Sequence, residues 1–377
     1  MRSEGPEQAD DPLALPDLAS RSLRGSVIAA SDEFFAEKEN LINPAAAVFS
    51  PHTFGHKGQL YDGWETRRRR GDSAGFGLPG PDEHDWVIVR LGAPGVVHAV
   101  VVDTAHFTGN FPQSCSVEAC WADGYPDLAA LESARWVEIV ARSPLTGDAL
   151  HAFEVPAPSR RRYSHVRLRI FPDGGVARLR VHGVVVPDPA MLEGLTFDLA
   201  ALENGGDVVA CSDRFYSAPR NAISPGLSRV MGEGWETRRR RAAGNEWLAV
   251  RLAGQAVVSL VEVDTSGYIG NSPGQAEVRG YAGGGPGGTA GAPGAAGAVG
   301  PGDGRGWDDP SSWAPLLPAT PLLPDTPHRF RVSPDRAHDL VRLDVLPDGG
   351  VARLRLYGSL TAEGLARLRE RWAQTAL

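Results

Sequence analysis

The chain repeats itself, and that constrains its architecture more than any other feature. Asp17-Leu18-Ala19 through Ser31-Asp32-Glu33-Phe34-Phe35 aligns without a gap on Asp198-Leu199-Ala200 through Ser212-Asp213-Arg214-Phe215-Tyr216. Gly63-Trp64-Glu65-Thr66-Arg67-Arg68-Arg69-Arg70 recurs unchanged from Gly234 to Arg241, and Asp85-Trp86-Val87-Ile88-Val89-Arg90-Leu91 returns as Glu246-Trp247-Leu248-Ala249-Val250-Arg251-Leu252. Pro172-Asp173-Gly174-Gly175-Val176-Ala177-Arg178-Leu179-Arg180 recurs identically from Pro347 to Arg355. Matched blocks in one order mean duplication, so two domains built on one plan are expected. Spacing between copies is 181 at Asp17/Asp198, 171 at Gly63/Gly234, 161 at Asp85/Glu246 and 175 at Pro172/Pro347. Repeat 1 therefore carries insertions around Pro51–His56 and Gly75–Glu83. Repeat 2 carries one in the Gly/Ala/Pro-rich stretch 283–306, expected to be a mobile surface loop.

Within each repeat the hydrophobic period is two. Asp85–Leu91, Val96–Val102, Trp136–Val140 and His165–Ile170 read as strands separated by Gly, Pro and Asp. Helical pattern is brief, near Leu13–Leu23 and Met191–Leu202, and again in the tail, where Leu365, Leu368 and Trp372 form an amphipathic stripe. The expectation is an all-β protein of two tandem jelly-roll, galactose-binding-like β-sandwiches with short helices at the linker and C-terminus. Its parts are a disordered tail over 1–15, repeats over 16–187 and 188–359, and a C-terminal helix over 360–377.

Charge excludes some partners. With 38 basic against 46 acidic residues the net charge is −8, the wrong sign for a generic binder of nucleic acid or anionic membrane. Three cysteines, Cys115, Cys120 and Cys211, are too few for a disulfide framework. Residues 1–15 are acidic and Pro-containing rather than signal-like, so a reduced, cytoplasmic setting is expected.

The candidate chemistry lies in the repeated blocks. An extended run points Arg67 and Arg69 one way, Arg68 and Arg70 the other. Such a run can be a solvated edge strand, but its preservation in both copies favours a site role, because guanidinium is suited to clamping a planar carboxylate or ureido group. Glu65 sits among these cations, either paired structurally or acting as general acid/base. Pro-Asp-Gly-Gly is a turn signature, followed by a strand with Arg178 and Arg180 on one face. Asp103 ends an apolar strand and leads into a loop carrying His106 and Asn110. His52 and His56 have a metal-like spacing, but Pro51, Gly55 and Gly58 oppose a helix there, and no metal site is expected.

Together these blocks, with Glu39-Asn40-Leu41-Ile42 and Phe107-Thr108-Gly109-Asn110-Phe111-Pro112, resemble the allantoicase family over about residues 16–359. That resemblance implies two jelly rolls, a homo-oligomer, and hydrolysis of allantoate to (S)-ureidoglycolate and urea, without redox cofactor or nucleotide. The expected catalytic residues are Glu65, Asp103 and His106. Arg67, Arg69, Arg178, Arg180 and Asn110 are expected to hold the substrate. The alternative is a non-catalytic tandem jelly roll, carbohydrate-binding or structural. Because Gly267 stands in repeat 2 where repeat 1 has His106, the chemistry is expected in repeat 1.

Overall fold

The computed structural model describes residues 11–71, 77–281 and 313–377. It divides into two units, residues 1–185 with 375–377, and 186–374. The first unit is built from β1 (Ser26–Ala30), β2 (Asp85–Asp103), β3 (Ser114–Cys120), β4 (Val137–Pro144), β5 (Leu150–Glu154), β6 (Arg162–Phe171) and β7 (Arg178–Val185). The second repeats the plan with β8 (Asp207–Cys211), β9 (Glu246–Asp264), β10 (Gln275–Tyr281), β11 (Ala314–Pro321), β12 (Pro327–Arg331), β13 (Ala337–Leu346) and β14 (Arg353–Leu360).

The two runs expected as separate strands in 86–102 are one strand of 19 residues, β2. Its first half pairs antiparallel with β1 and β6, and its second half with β5 and β7. β6 continues to β3 and β3 to β4, giving the order β1-β2-β6-β3-β4 in one layer and β7-β2-β5 in the other. The register against β6 slips between Arg90 and Gly95, where the strand passes from one layer to the other at a bulge. In the second unit β9 does the same between β8 and β13 on one side and β12 and β14 on the other.

Alternation sends Val87, Val89, Val100, Val102, Val117, Leu168, Ile170, Leu179 and Val181 into the first core, all fully buried. Ile88 faces the opposite way yet is also buried, packed with Cys120 and Leu131 beside Trp86 and Trp136. The short helix α1 (Leu128–Glu132), capped by Asp127, supplies Leu131 to this satellite cluster.

Several sequence expectations are corrected. The helical pattern near 13–23 and 191–202 resolves into single 3-10 turns, Pro12–Ala14, Arg21–Leu23, Pro189–Met191 and Leu202–Asn204; each apolar stripe is too short to sustain a longer helix. Residues 11–15 of the supposed tail are tied down, with the Leu15 carbonyl 2.9 Å from His182 Nδ1. The loop 283–306 lies outside the described residues. The tail forms helix α2 (Ala362–Gln374), whose first turn is closed by the Thr361 hydroxyl accepting from the Gly364 N–H at 3.0 Å. Leu368 is the buried member of its stripe.

Candidate active site

The repeated Gly-Trp-Glu-Thr-Arg block is a two-residue strand, Trp64–Glu65, paired antiparallel with Gly175–Val176 from the Pro-Asp-Gly-Gly turn. That turn needs both glycines. Gly174 has φ +137°, and a Cβ on Gly175 would meet the Phe107 ring at 2.0 Å, so the buried phenyl requires a bare backbone there. Thr66 locks the turn, its N–H donating to the Gly174 carbonyl at 3.1 Å while its hydroxyl accepts from the Gly174 N–H at 3.1 Å.

Most of the block is committed to this scaffold. Trp64 is wholly buried and donates Nε1–H to the Asp32 carbonyl at 2.7 Å. The Arg69 backbone N–H donates to Asp173 at 2.7 Å, and its guanidinium donates to the buried Asp85 at 2.7 Å. Burial, reinforced by the nearby Asp85 charge, lifts the Asp173 carboxyl above its ordinary range despite the Arg69 N–H. The solvated edge strand, the alternative to a site role, is not formed: the Arg run beyond Glu65 pairs with no neighbouring strand, and Arg67 and Arg69 are held by carboxylates instead.

Glu65, Asn110 and Arg67 are the exceptions. Glu65 is half-buried, and its Oε1 accepts from Asn110 Nδ2 at 2.7 Å. Among the described residues its Oε2 has no hydrogen-bond partner. Burial pushes this carboxyl upward, and Asn110 offsets that only in part. Asn110 is fixed in turn because its carbonyl accepts from the Gly175 N–H at 2.7 Å. Arg67, two residues on, is gripped by Asp32 through both its backbone N–H (2.7 Å) and Nε (2.8 Å). Its side chain is 66% exposed and lies 5.0 Å over the Phe34 ring. The outer guanidinium nitrogens therefore face outward from a preset orientation.

Other expected site residues are placed elsewhere. Arg178 is 2% exposed, and all five of its N–H groups are spent, on the carbonyls of Ala45, Ala46, Asp62 and Ala177 and on the Asp62 carboxylate at 2.7 Å. It has no donor left for a substrate; the clamp assignment is corrected to a scaffold role. Arg180 likewise reaches Asp17 and the carbonyls of Pro44 and Ala45. His106, at φ +69°, turns to the repeat 1 insertion, with Nε2 3.2 Å from the Ala47 carbonyl and its ring stacked on Phe49. Gly267 occupies the matching left-handed position in repeat 2 (φ +82°), so that exchange follows backbone conformation. Asp103 is buried and closes a local turn by accepting from the Ala105 N–H at 2.8 Å. None of these four, Arg178, Arg180, His106 and Asp103, shares a hydrogen bond with Glu65.

Sequence reasoning missed Asp32 and Phe34, although the ungapped match of residues 31–35 to 212–216 was the signal for both. It also missed Asp62, whose carboxyl is held below its ordinary range because Arg178 and the Val48 N–H outweigh burial. His52 and His56 are exposed in and beside the small hairpin Phe54–Gly55/Gly58–Gln59. Among the described residues no cluster of His, Cys, Asp or Glu could hold a metal ion.

The allantoicase repeat model matches residues 16–186 and 197–361. The chain belongs to the allantoicase family. The chain is 51% identical to a Nocardia farcinica protein described as "Probable allantoicase", over 92% of this chain and 94% of that one. It is 39% identical to the allantoicase of Dictyostelium discoideum, over 91% of this chain and 87% of the relative. The crystal structure of the Saccharomyces cerevisiae allantoicase superposes with a TM-score of 0.72 at 29% identity, covering 93% of this chain and 96% of the other. As in that family, the chain is a hydrolase, and a non-catalytic carbohydrate-binding or structural role is not favoured. Among the described residues no helix is long and apolar enough to cross a membrane.

Proposed function

We propose that this member of the allantoicase family hydrolyses allantoate to ureidoglycolate and urea at Glu65, Asn110 and Arg67. One observation carries the site assignment: a half-buried carboxylate pinned through one oxygen by Asn110, with its second oxygen uncommitted and an outward guanidinium two residues away. Allantoate presents one carboxylate and two ureido groups on a single carbon. Arg67 takes the carboxylate with its outer N–H groups, a two-point contact that fixes the reacting carbon. The Asn110 side-chain amide oxygen, Oδ1, accepts from a ureido N–H.

Hydrolysis breaks one C–N bond to that carbon and forms a C–O bond to the oxygen of water. The proton lost by water goes to Glu65, and the departing urea nitrogen takes one up. A carboxyl raised by burial holds and returns that proton at neutral pH better than an ordinary glutamate. Repeat 1 encloses its set: the insertion hairpin brings Lys57 Nζ to 4.9 Å over Phe34, on the ring that also carries Arg67. Phe34 and Phe35 are 39% and 37% exposed, against 62% and 63% for Phe215 and Tyr216. We read the enzyme as a cytoplasmic homo-oligomer, which sedimentation of the purified chain checks. Urea release from allantoate by the purified protein tests the reaction; no release above a no-enzyme control would sink it.

A further inference from the structure

The chemistry was expected in repeat 1 because repeat 2 lacks the histidine, yet in repeat 1 that histidine engages Ala47 and Phe49 and shares no hydrogen bond with Glu65. What surrounds Glu65 is, by contrast, duplicated. Glu236 Oε1 accepts from Asn271 Nδ2 at 2.7 Å, the same distance as in repeat 1. The Asn271 carbonyl accepts from the Gly350 N–H at 2.8 Å. Arg238 is held by Asp213 through its backbone N–H at 3.0 Å and its Nε at 2.6 Å, and lies 5.0 Å over the Phe215 ring. Its side chain is 57% exposed. Much of the scaffold beneath is copied as well: Trp235 Nε1 donates to the Asp213 carbonyl, Arg240 joins Asp348 to Glu246, and Arg353 donates through Nε and Nη1 to the carbonyls of Gly226, Asn221, Glu233 and Ala352.

A scaffold would need only the Trp, Thr and third Arg of the block. The Glu236 carboxylate is held through one oxygen by Asn271, while its second oxygen has no hydrogen-bond partner among the described residues and is not enclosed by the fold. That oxygen is open to a ligand donor. The differences lie at the rim. Met231, 48% exposed, places its sulfur 3.7 Å from Asn271 Nδ2. Tyr216 replaces Phe35, and among the described residues of repeat 2 no hairpin corresponds to the one that covers Phe34. The ligand-facing groups are therefore the same and the enclosure is less.

We propose that Glu236, Asn271 and Arg238 form a second binding site in each chain, for a small carboxylate bearing ureido N–H groups, more open than the site at Glu65. The proposal rests on the reading of Glu65, Asn110 and Arg67 as the substrate site, since it transfers the same recognition to matched atoms. Arg238 takes the carboxylate, the free Glu236 oxygen accepts from the ureido N–H pair, and the Asn271 side-chain amide oxygen, Oδ1, accepts a third.

The test uses the full-length chain and hydantoate, which has the carboxylate and one ureido group but lacks the second ureido nitrogen that helps expel urea. Calorimetric titration should show two equivalents per chain for the wild type, one each for Glu65→Ala and Glu236→Ala, and none for the double variant. Thermal melting confirms that each variant is folded. Should Glu236→Ala unfold, Arg238→Gln, at an exposed side chain, is expected to remove the same one equivalent. A wild-type stoichiometry of one, abolished by Glu65→Ala and untouched by Glu236→Ala or Arg238→Gln, overturns the second site while leaving the first standing. Failure of the wild type both to release urea from allantoate and to bind hydantoate overturns the reading beneath both.

Discussion

At the scale of single residues, the arginines of this chain divide by where their N–H groups go. Arg178 is interior wiring: five hydrogen bonds tie three stretches of chain to β7. Arg178→Ala would leave several buried carbonyls and the Asp62 carboxylate without a donor, and a loss of about 3–5 kcal/mol in urea unfolding is expected. Arg178→Lys should recover little of it, because an ammonium cannot reproduce a five-donor fork. A variant that melts normally but binds substrate poorly would return Arg178 to the site. Glu65 belongs to the opposite class, as its free oxygen does nothing for the fold. Glu65→Gln is expected to keep the melting temperature and lower kcat by at least ~100-fold, the range for a lost proton-transfer group. Burial raises the Glu65 carboxyl from its ordinary 4.5, so the acid limb of kcat/KM in the wild type should lie above that value. Any residual activity of the Gln variant should lack that limb.

Among the elements, the contact between the Pro-Asp-Gly-Gly turn and Phe107 sets where Glu65 sits. Gly175→Ala would drive a methyl into that ring and should destabilise by about 1–3 kcal/mol through overpacking, with a fall in turnover because Gly175 is the ladder partner of Glu65. Phe107→Leu in the same chain should return part of the stability; a Gly175→Ala protein with wild-type melting and turnover would show the turn has room to move. The sequence allowed the turn, the strands and the duplication to be read, because period two and Gly/Pro punctuation are local signals. It did not show that 85–103 is one strand, since a bulge in mid-strand looks like a loop. Nor did it show which arginine is buried: Arg67 and Arg178 look alike until residues 32, 45, 46 and 62 are brought beside them. Glu65 was identifiable from its position in a repeated block, whereas the idle oxygen that marks it out is a property of folded contacts.

For the whole molecule, acid should be destabilising through three buried imidazoles. Burial lowers His165 to about 4, with the Arg90 charge acting the same way. It lowers His98 too, where Arg160 adds and Glu154 opposes, and His338. An unfolded histidine takes its proton near 6.5. Below that pH the unfolded chain binds protons that the folded one refuses, so stability should fall steadily from about pH 6.5 towards pH 4. His165→Gln should flatten part of that slope in urea titrations at stepped pH, and a slope unchanged by the substitution would remove His165 from the account. The long strand β2 has a further consequence. Because one unbroken backbone supplies ladder bonds to both layers, neither layer can open without dragging its neighbour's central strand into solvent. In deuterated buffer, the amides of Val87–Val89 and Val100–Val102 should then exchange through one shared opening, with matching free energies, while those of the exposed hairpin at 54–59 exchange orders of magnitude sooner. A jelly roll threaded in this way melts as a unit or not at all.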